Sequence, residues 1–332
     1  MAANITGLTT VYRKEKNKER KKTGGDLNSV RANLLLYVMF LPGMILTFLF
    51  SYLPMFGIII AFKKVNLRDG ILSSPWIGFK NFEMVLKNSN AWISIRNTVA
   101  YNAVFIITGL IFSVALAIAL SILKNKLSSK VYQTIYIMPH FLSMVIVAYL
   151  VFAFLNMESG FINKSVLPII FGEGAQKINW YAESGMWPYI LFIVRTWKTV
   201  GYGSIVYLAA IAGIDMGMYE AAKIDGANLW QQILNITLPS LKTIMTIMTI
   251  MNVGHIFSAD FGLFYNVPMN SGALYPTTLV INTYVYNVMT AAGTASTGMA
   301  SAAAMLQSVL GFVLVIVTNA IVRKVDESSA LF

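Results

Sequence analysis

The chain has no cysteine and only two histidines in 332 residues. That excludes a disulfide framework, thiolate zinc and thiol chemistry, and it leaves little from which to build a catalytic metal site. Charge is scarce too: 12% of residues are charged, where a soluble domain carries about 25%. Acids are scarcer than bases, 14 against 25, for a formal net charge of +11. With 57% hydrophobic residues and a mean hydropathy of +0.65, most of the surface must face something other than water. These deficits exclude an ordinary cytosolic enzyme, a disordered protein and a nucleic-acid-binding domain. No cofactor and no metal are expected.

What is present is apolar sequence in helix-length runs. A bilayer core about 30 Å thick needs about 20 apolar residues in a helix. Runs near 33–53, 97–123, 131–157, 187–211, 239–260 and 302–322 meet that need, so the expected fold class is an all-α integral membrane protein of six transmembrane helices. Pro54 marks the exit of the first, Pro139-His140 interrupts the third, and the fifth, rich in Thr and Met, is the weakest. The first apolar run begins at Leu34 and is longer than the core of a cleavable signal peptide.

An even number of spans puts both termini on one side. The arm 1–32 carries Arg13, Lys14, Lys16, Lys18, Arg20, Lys21, Lys22 and Arg31. Lys124, Lys126 and Lys130 follow the second run, and Arg323 and Lys324 precede the tail 326–332. By the positive-inside rule that side is cytoplasmic. The external loop 54–96 disagrees, with Lys63, Lys64, Arg68, Lys80, Lys87 and Arg96 poorly balanced by acids; the first span takes precedence. The basic arm reads as a juxtamembrane segment touching anionic lipid. Residues 260–301, uncharged after Asp260 and rich in Gly, Asn, Thr, Ser and Tyr, read as an outer loop with a short helix.

Residues 213–239, between the fourth and fifth runs, read as a helix–turn–helix. Asp215 is placed to cap a helix through Ile224, Gly226 to end it, Asn228 to cap a second helix to Leu234, and Pro239 to start the fifth span. From these residues alone it is an amphipathic connector. The string Glu220-Ala221-Ala222, three residues, Gly226, nine residues, Ile236-x-Leu238-Pro239, with Asp225 and Ala227 flanking the glycine, resembles the EAA loop of binding-protein-dependent ABC importer permeases. Thr134-Ile-Tyr-Ile-Met-Pro139 and Gly160-Phe-Ile-Asn163 are similar to the carbohydrate-uptake branch of that family. Tyr52-Leu-Pro54-Met-Phe-Gly57, Ser74-Pro75-Trp76-Ile-Gly78, Pro139-His140-Phe141 and Trp197-Lys198 are similar to its polysaccharide and complex-oligosaccharide permeases, often from Gram-positive bacteria.

The resemblance implies a type I permease fold over residues 33–325, with a cytoplasmic coupling helix between helices 4 and 5 that docks on an ATPase subunit. It implies a bacterial cell-membrane location and, as partners, a second permease subunit, two cytoplasmic ATPase subunits and an extracytoplasmic solute-binding lipoprotein. The chain lacks a Gly-x-x-x-x-Gly-Lys-Ser/Thr phosphate loop, so it is expected to be a transport subunit without its own ATPase site. The implied activity is alternating-access import of an oligosaccharide or polysaccharide-derived sugar, with a modified glycan, polyol phosphate or peptide-like cargo as alternatives. An ion-coupled secondary carrier would need midplane carboxylates or a broken-helix ion site; no Asp or Glu lies well inside any run.

An ionisable residue inside a span is a functional candidate because its burial in lipid is costly. Arg195, Lys198 and Tyr202, at i, i+3 and i+7 of the fourth run, are therefore candidates for the cargo pathway. The competing reading has both cations snorkelling outward or binding backbone carbonyls and lipid headgroups. In the fifth run Thr243, Thr246, Thr249, Asn252, His255 and Ser258 recur every third residue, so the polar row winds around the helix. Asn252 and His255 remain candidates, against threonines bonding their own helix and His255 packing between helices. His140 is open in the same way. Tyr265, Tyr275, Tyr284 and Tyr286 are candidates to stack on sugar rings, to meet the binding protein or to form an interfacial belt.

Overall fold

A computed structural model describes residues 33–65, 70–123, 125–172, 174–291 and 294–325. The basic arm 1–32 and the tail 326–332 lie outside these residues, as do Arg68 and Lys124. The chain divides into two units, residues 1–59 and 60–332. Among the described residues its regular secondary structure is helical, apart from an isolated bridge pairing Lys63 with Trp76.

In the first unit, α1 (Leu34–Thr47) is apolar on every face and buries no side chain. A helix of that kind belongs in lipid or against another chain. The helical path does not end at Pro54, as expected from sequence, but continues through a π turn (Phe48–Tyr52) into a 3₁₀ segment (Leu53–Phe62). A proline lacks one N–H and crowds the carbonyl four residues back; the change of hydrogen-bond register just before Pro54 absorbs both effects.

The second unit is built on α3 (Ser89–Ile122) and α6 (Trp187–Ala212), preceded by α2 (Lys80–Lys87). Apolar sequence alone does not bring helices together in lipid; small residues that permit close approach do. Ser113 and Ala117 of α3 and Gly201 and Ser204 of α6 are such a set, and all are buried. The third run is two helices, α4 (Lys126–Ile137) and α5 (Met144–Leu155), bent by 95° about a 3₁₀ turn at Met138–Phe141. Pro139 stops the ladder, and Ser143 caps α5 by accepting from the Ile146 N–H at 3.3 Å.

Short α7 (Met216–Ile224) follows α6 at a 71° bend. The next helix, α8, runs unbroken from Leu229 to Gly254, ten residues earlier than expected at its start and six at its end. Pro239 does not separate a connector helix from a span, because a π turn at Ile233–Thr237 lets the helix pass through it. The segment read as an outer loop is also different. It carries α9 (Phe261–Asn266), single turns at Gly272–Leu274 and Tyr275–Thr278, and α10 (Ile281–Ala291). Leu263, Phe264, Val267, Leu274, Leu279, Val280, Ile281 and Tyr284 are buried core residues. Several of its polar residues serve the backbone: Thr278 Oγ1 donates to Leu274 O, and Thr283 Oγ1 donates to Val280 O. The last helix, α11, spans Thr294–Val325.

Leu34–Phe62, α3, α8 and Thr297–Lys324 are each long and apolar enough to cross a membrane; two bent pairs, α4 with α5 and α6 with α7, pass the same test together.

Candidate functional site

Two regions gather the sequence-predicted residues. The first is the α7–α8 hairpin, whose turn is specified at nearly every position. Asp215 accepts the Gly217 N–H at 2.9 Å and starts α7. Gly226 ends it in the left-handed region, at φ +77°, where a side chain is costly. The Ala227 N–H then reaches back to the Ala222 carbonyl at 2.8 Å. Asn228 and Gln231 form a reciprocal capping box, at 2.9 and 2.7 Å. Gln232 Nε2 donates to the Ala227 carbonyl at 2.9 Å, and the Tyr219 and Thr237 hydroxyls meet at 2.9 Å. The hairpin is therefore rigid.

Its outer surface is bare. No residue of α7 is buried, and Glu220, Ala221, Asp225 and Gly226 are exposed. Ile224 is 86% exposed and Trp230 72%. Glu220 makes no ion pair among the described residues. Nothing lies within 4 Å of where a Gly226 Cβ would stand. Ile236 and Leu238 are partly covered, and Pro239 is exposed. An exposed, apolar, internally braced element has the character of a docking surface.

The second region is a cavity of about 380 Å³ between α3, α6 and α8, with His140 at its wall. Arg195, Tyr202, Asn252 and His255 all line it; Lys198 does not. At about 100° per residue, Arg195, Thr199, Tyr202 and Val206 form one stripe, while Lys198 lies about 60° to the side. The Lys198 side chain is turned to the α4–α5 break and is only 7% exposed. Its ammonium donates to Pro139 O at 3.3 Å, His140 O at 2.9 Å and Leu142 O. Three carbonyls at a proline break thus take all three ammonium protons.

Arg195 is differently placed. Its guanidinium lies 5.6 Å from the Phe105 ring centroid and 4.0 Å from Asp260 Oδ2. Tyr202 stacks on His140 at 4.1 Å between centroids. His140 Nδ1 is buried without a hydrogen-bond partner. His255 Nδ1 lies 2.9 Å from Met251 O of its own helix, and Thr246 and Thr249 likewise bond carbonyls four residues back.

Sequence reasoning did not single out Asn102, Phe105 or the pairing of Asp260 with Arg195. Asn102 Nδ2 donates to Ile256 O at 2.7 Å and Ser258 O at 3.1 Å, fixing the end of α8 across the cavity. The available signal was a lone amide in an apolar run. For Asp260 it was the need of a span-buried arginine for a counter-charge. Tyr284 is core, and Tyr275 donates to Asn270 Oδ1 at 3.2 Å; Tyr265 and Tyr286 pack edge-on, with centroids 5.0 Å apart.

Residues 109–327 match the family described as binding-protein-dependent transport system inner membrane component. The chain is 31% identical over 317 residues to the polygalacturonan/rhamnogalacturonan transport system permease protein YteP of Bacillus subtilis (strain 168), covering 96% of this chain and 94% of that one. It is similar in structure to a chain of a bacterial ABC transporter involved in the import of the acidic polysaccharide alginate, with a TM-score of 0.80, 32% identity, and coverage of 90% and 98%. It is also similar to a chain of the alginate transporter in complex with its alginate pentasaccharide-bound periplasmic protein, with a TM-score of 0.78, 31% identity, and coverage of 90% and 97%. With two thirds of its length in the family match and nearly all of it in the structural one, the chain belongs to the binding-protein-dependent transport system inner membrane components, multi-pass membrane proteins with the ABC importer permease fold.

Proposed function

We propose that this chain is a transmembrane subunit of an ATP-driven importer that carries an oligosaccharide or polysaccharide-derived sugar into the cell. The observation that carries the reading is the α7–α8 hairpin: internally locked, externally bare, and bearing Glu220, Ala221, Ala222, Asp225, Gly226 and Ala227 on its exposed turn. Such an element can pass movement of a docked ATPase to α6, which precedes it, and along α8, both of which line the polar cavity with α3. The chain has no phosphate-binding loop of its own, so hydrolysis belongs to two partner ATPase subunits. A second permease subunit completes the pathway, and an extracytoplasmic binding protein delivers cargo. The hairpin and both termini face the cytoplasm, with six spans formed when each bent pair crosses once. Arg195, Tyr202, Asn252 and His255 line the path; Lys198 holds the α4–α5 break.

The saccharide cargo is supported by the relatives: YteP is named for polygalacturonan and rhamnogalacturonan, and the structural neighbour imports alginate.

Two measurements test the reading. Purification of the tagged chain from its host in mild detergent should recover an ATPase, a second permease and a binding lipoprotein. Recovery of the chain alone, where a control importer stays assembled, overturns it. Gly226→Asp should leave the chain in the membrane and abolish uptake, because aspartate is among the residues that enter the left-handed region at least cost and nothing lies within 4 Å of where its Cβ would stand. Undiminished uptake by that variant would remove the hairpin from coupling.

A further inference from the structure

Two cations stand one helical turn apart on α6, and the protein treats them oppositely. Lys198 is sealed in protein with every ammonium proton engaged. Arg195 carries five N–H donors in a planar fork. Among the described residues its guanidinium makes no hydrogen bond; its contacts are Asp260 at 4.0 Å and the face of Phe105. Arg195 and Asp260 each keep 34% of their side-chain surface open. A structural arginine–carboxylate pair closes to bidentate contact at about 2.8 Å. This one stops more than an ångström short.

The cavity is asymmetric in charge. Of the described residues that line it, Arg195 is the only charged one, and none is a carboxylate. Asp260 is committed elsewhere: its Oδ1 accepts the Leu263 N–H at 3.1 Å and caps α9. Its other oxygen is the one 4.0 Å from the Arg195 guanidinium, and Asp260 is not among the residues that line the cavity. The Arg195 guanidinium, with no hydrogen bond among the described residues and part of its surface open, leaves hydrogen-bonding capacity for a ligand in that cavity.

We propose that Arg195 is the receptor for a carboxylate carried by the cargo, that Asp260 is its resting counter-ion, and that the cargo is an acidic saccharide whose uronate group engages the fork. This rests on the importer reading above and specifies which saccharides the cavity accepts. Phe105 supports the guanidinium plane from one side, so the fork is presented in a fixed orientation. A neutral sugar offers the fork only hydroxyl oxygens, whereas a uronate offers a charged acceptor that can take two N–H donors at once. An acidic one takes the fork without a proton changing hands.

The test is complementation in a strain lacking this gene, with its partner subunits intact. Uptake is measured for oligogalacturonides, alginate oligosaccharides, and neutral galacto-, manno- and xylo-oligosaccharides. The wild-type chain should restore uptake of an acidic member. Arg195→Gln, at equal amount in the membrane, should reduce that uptake about ten- to hundredfold, the loss expected for a charge-assisted hydrogen bond in a shielded site. Asp260→Asn keeps the helix cap and removes the competing charge, so it should lower the half-saturating concentration for the acidic saccharide. Restoration of neutral cargo alone overturns the inference and leaves the importer reading standing. Restoration of no saccharide at all overturns both. Equal loss in Arg195→Gln and Asp260→Asn would make the pair structural, and undiminished uptake by Arg195→Gln would remove it from recognition; either result overturns the inference.

Discussion

Gly201 lies so close to Tyr136 that a Cβ on the glycine would overlap the tyrosine's carbonyl oxygen. This contact joins α6 to α4 just where α4 approaches its proline break. Gly201→Ala should therefore destabilise the chain by about 1–3 kcal/mol, the usual range for overpacking, and lower its melting temperature in detergent. Gly109→Ala is the matched control: it sits in α3 with nothing within 4 Å of the added carbon, so melting should be unchanged or slightly higher.

Lys198 tests the difference between a cation that holds the fold and one that does not. Lys198→Met nearly keeps the length of the side chain and takes the ammonium from the carbonyls of His140 and Leu142, while Pro139 O keeps the Leu142 N–H at 3.2 Å. Each stranded buried acceptor costs about 1–3 kcal/mol, so the variant should be recovered in reduced amount by size-exclusion chromatography. Arg195→Gln should elute like wild type.

The Tyr219–Thr237 hydroxyl contact bridges the two arms of the hairpin at 2.9 Å. Tyr219→Phe should cost about 0.5–1.5 kcal/mol and let α7 move relative to α8. The expected result is an assembled transporter that imports less cargo per ATP hydrolysed, read by measuring uptake and phosphate release together.

Asn228 starts α8 through the capping box with Gln231. Asn228→Ala should lower stability by about 1 kcal/mol, and Asn228→Asp, which retains the accepting oxygen, should recover most of it. Thermal melting of the two variants side by side distinguishes capping from a role of the amide itself.

The helical, membrane-embedded character of the chain was legible because long uncharged runs have few physical outcomes. The run 187–211 and helix Trp187–Ala212 nearly coincide, for it has a proline at its first turn and a glycine after its last. Prolines elsewhere misled. Pro54 and Pro239 read as ends of helices, yet each follows a π turn, and that change of hydrogen-bond register has no sequence signature. The stretch 260–301 looked like a loop because its polar residues are frequent; spacing alone does not reveal that they bond to backbone while Leu263, Val267 and Val280 fill the core. In the cavity, Arg195 and Tyr202 were recognisable as polar groups on an apolar helix. The diversion of Lys198 was not, because the carbonyls that bind it are released by a proline 59 residues away.

The same hairpin has a consequence for how the protein is made. Ile224 and Trp230 stand almost uncovered on a surface that, in the proposed orientation, meets water unless the proposed ATPase partner covers it. A subunit synthesised in excess of its partners therefore displays a greasy flag for chaperones and proteases. Its lifetime in the cell should be set by the supply of ATPase, with orphan copies cleared first, so that the abundance of one polypeptide governs the abundance of another without any regulation of its gene.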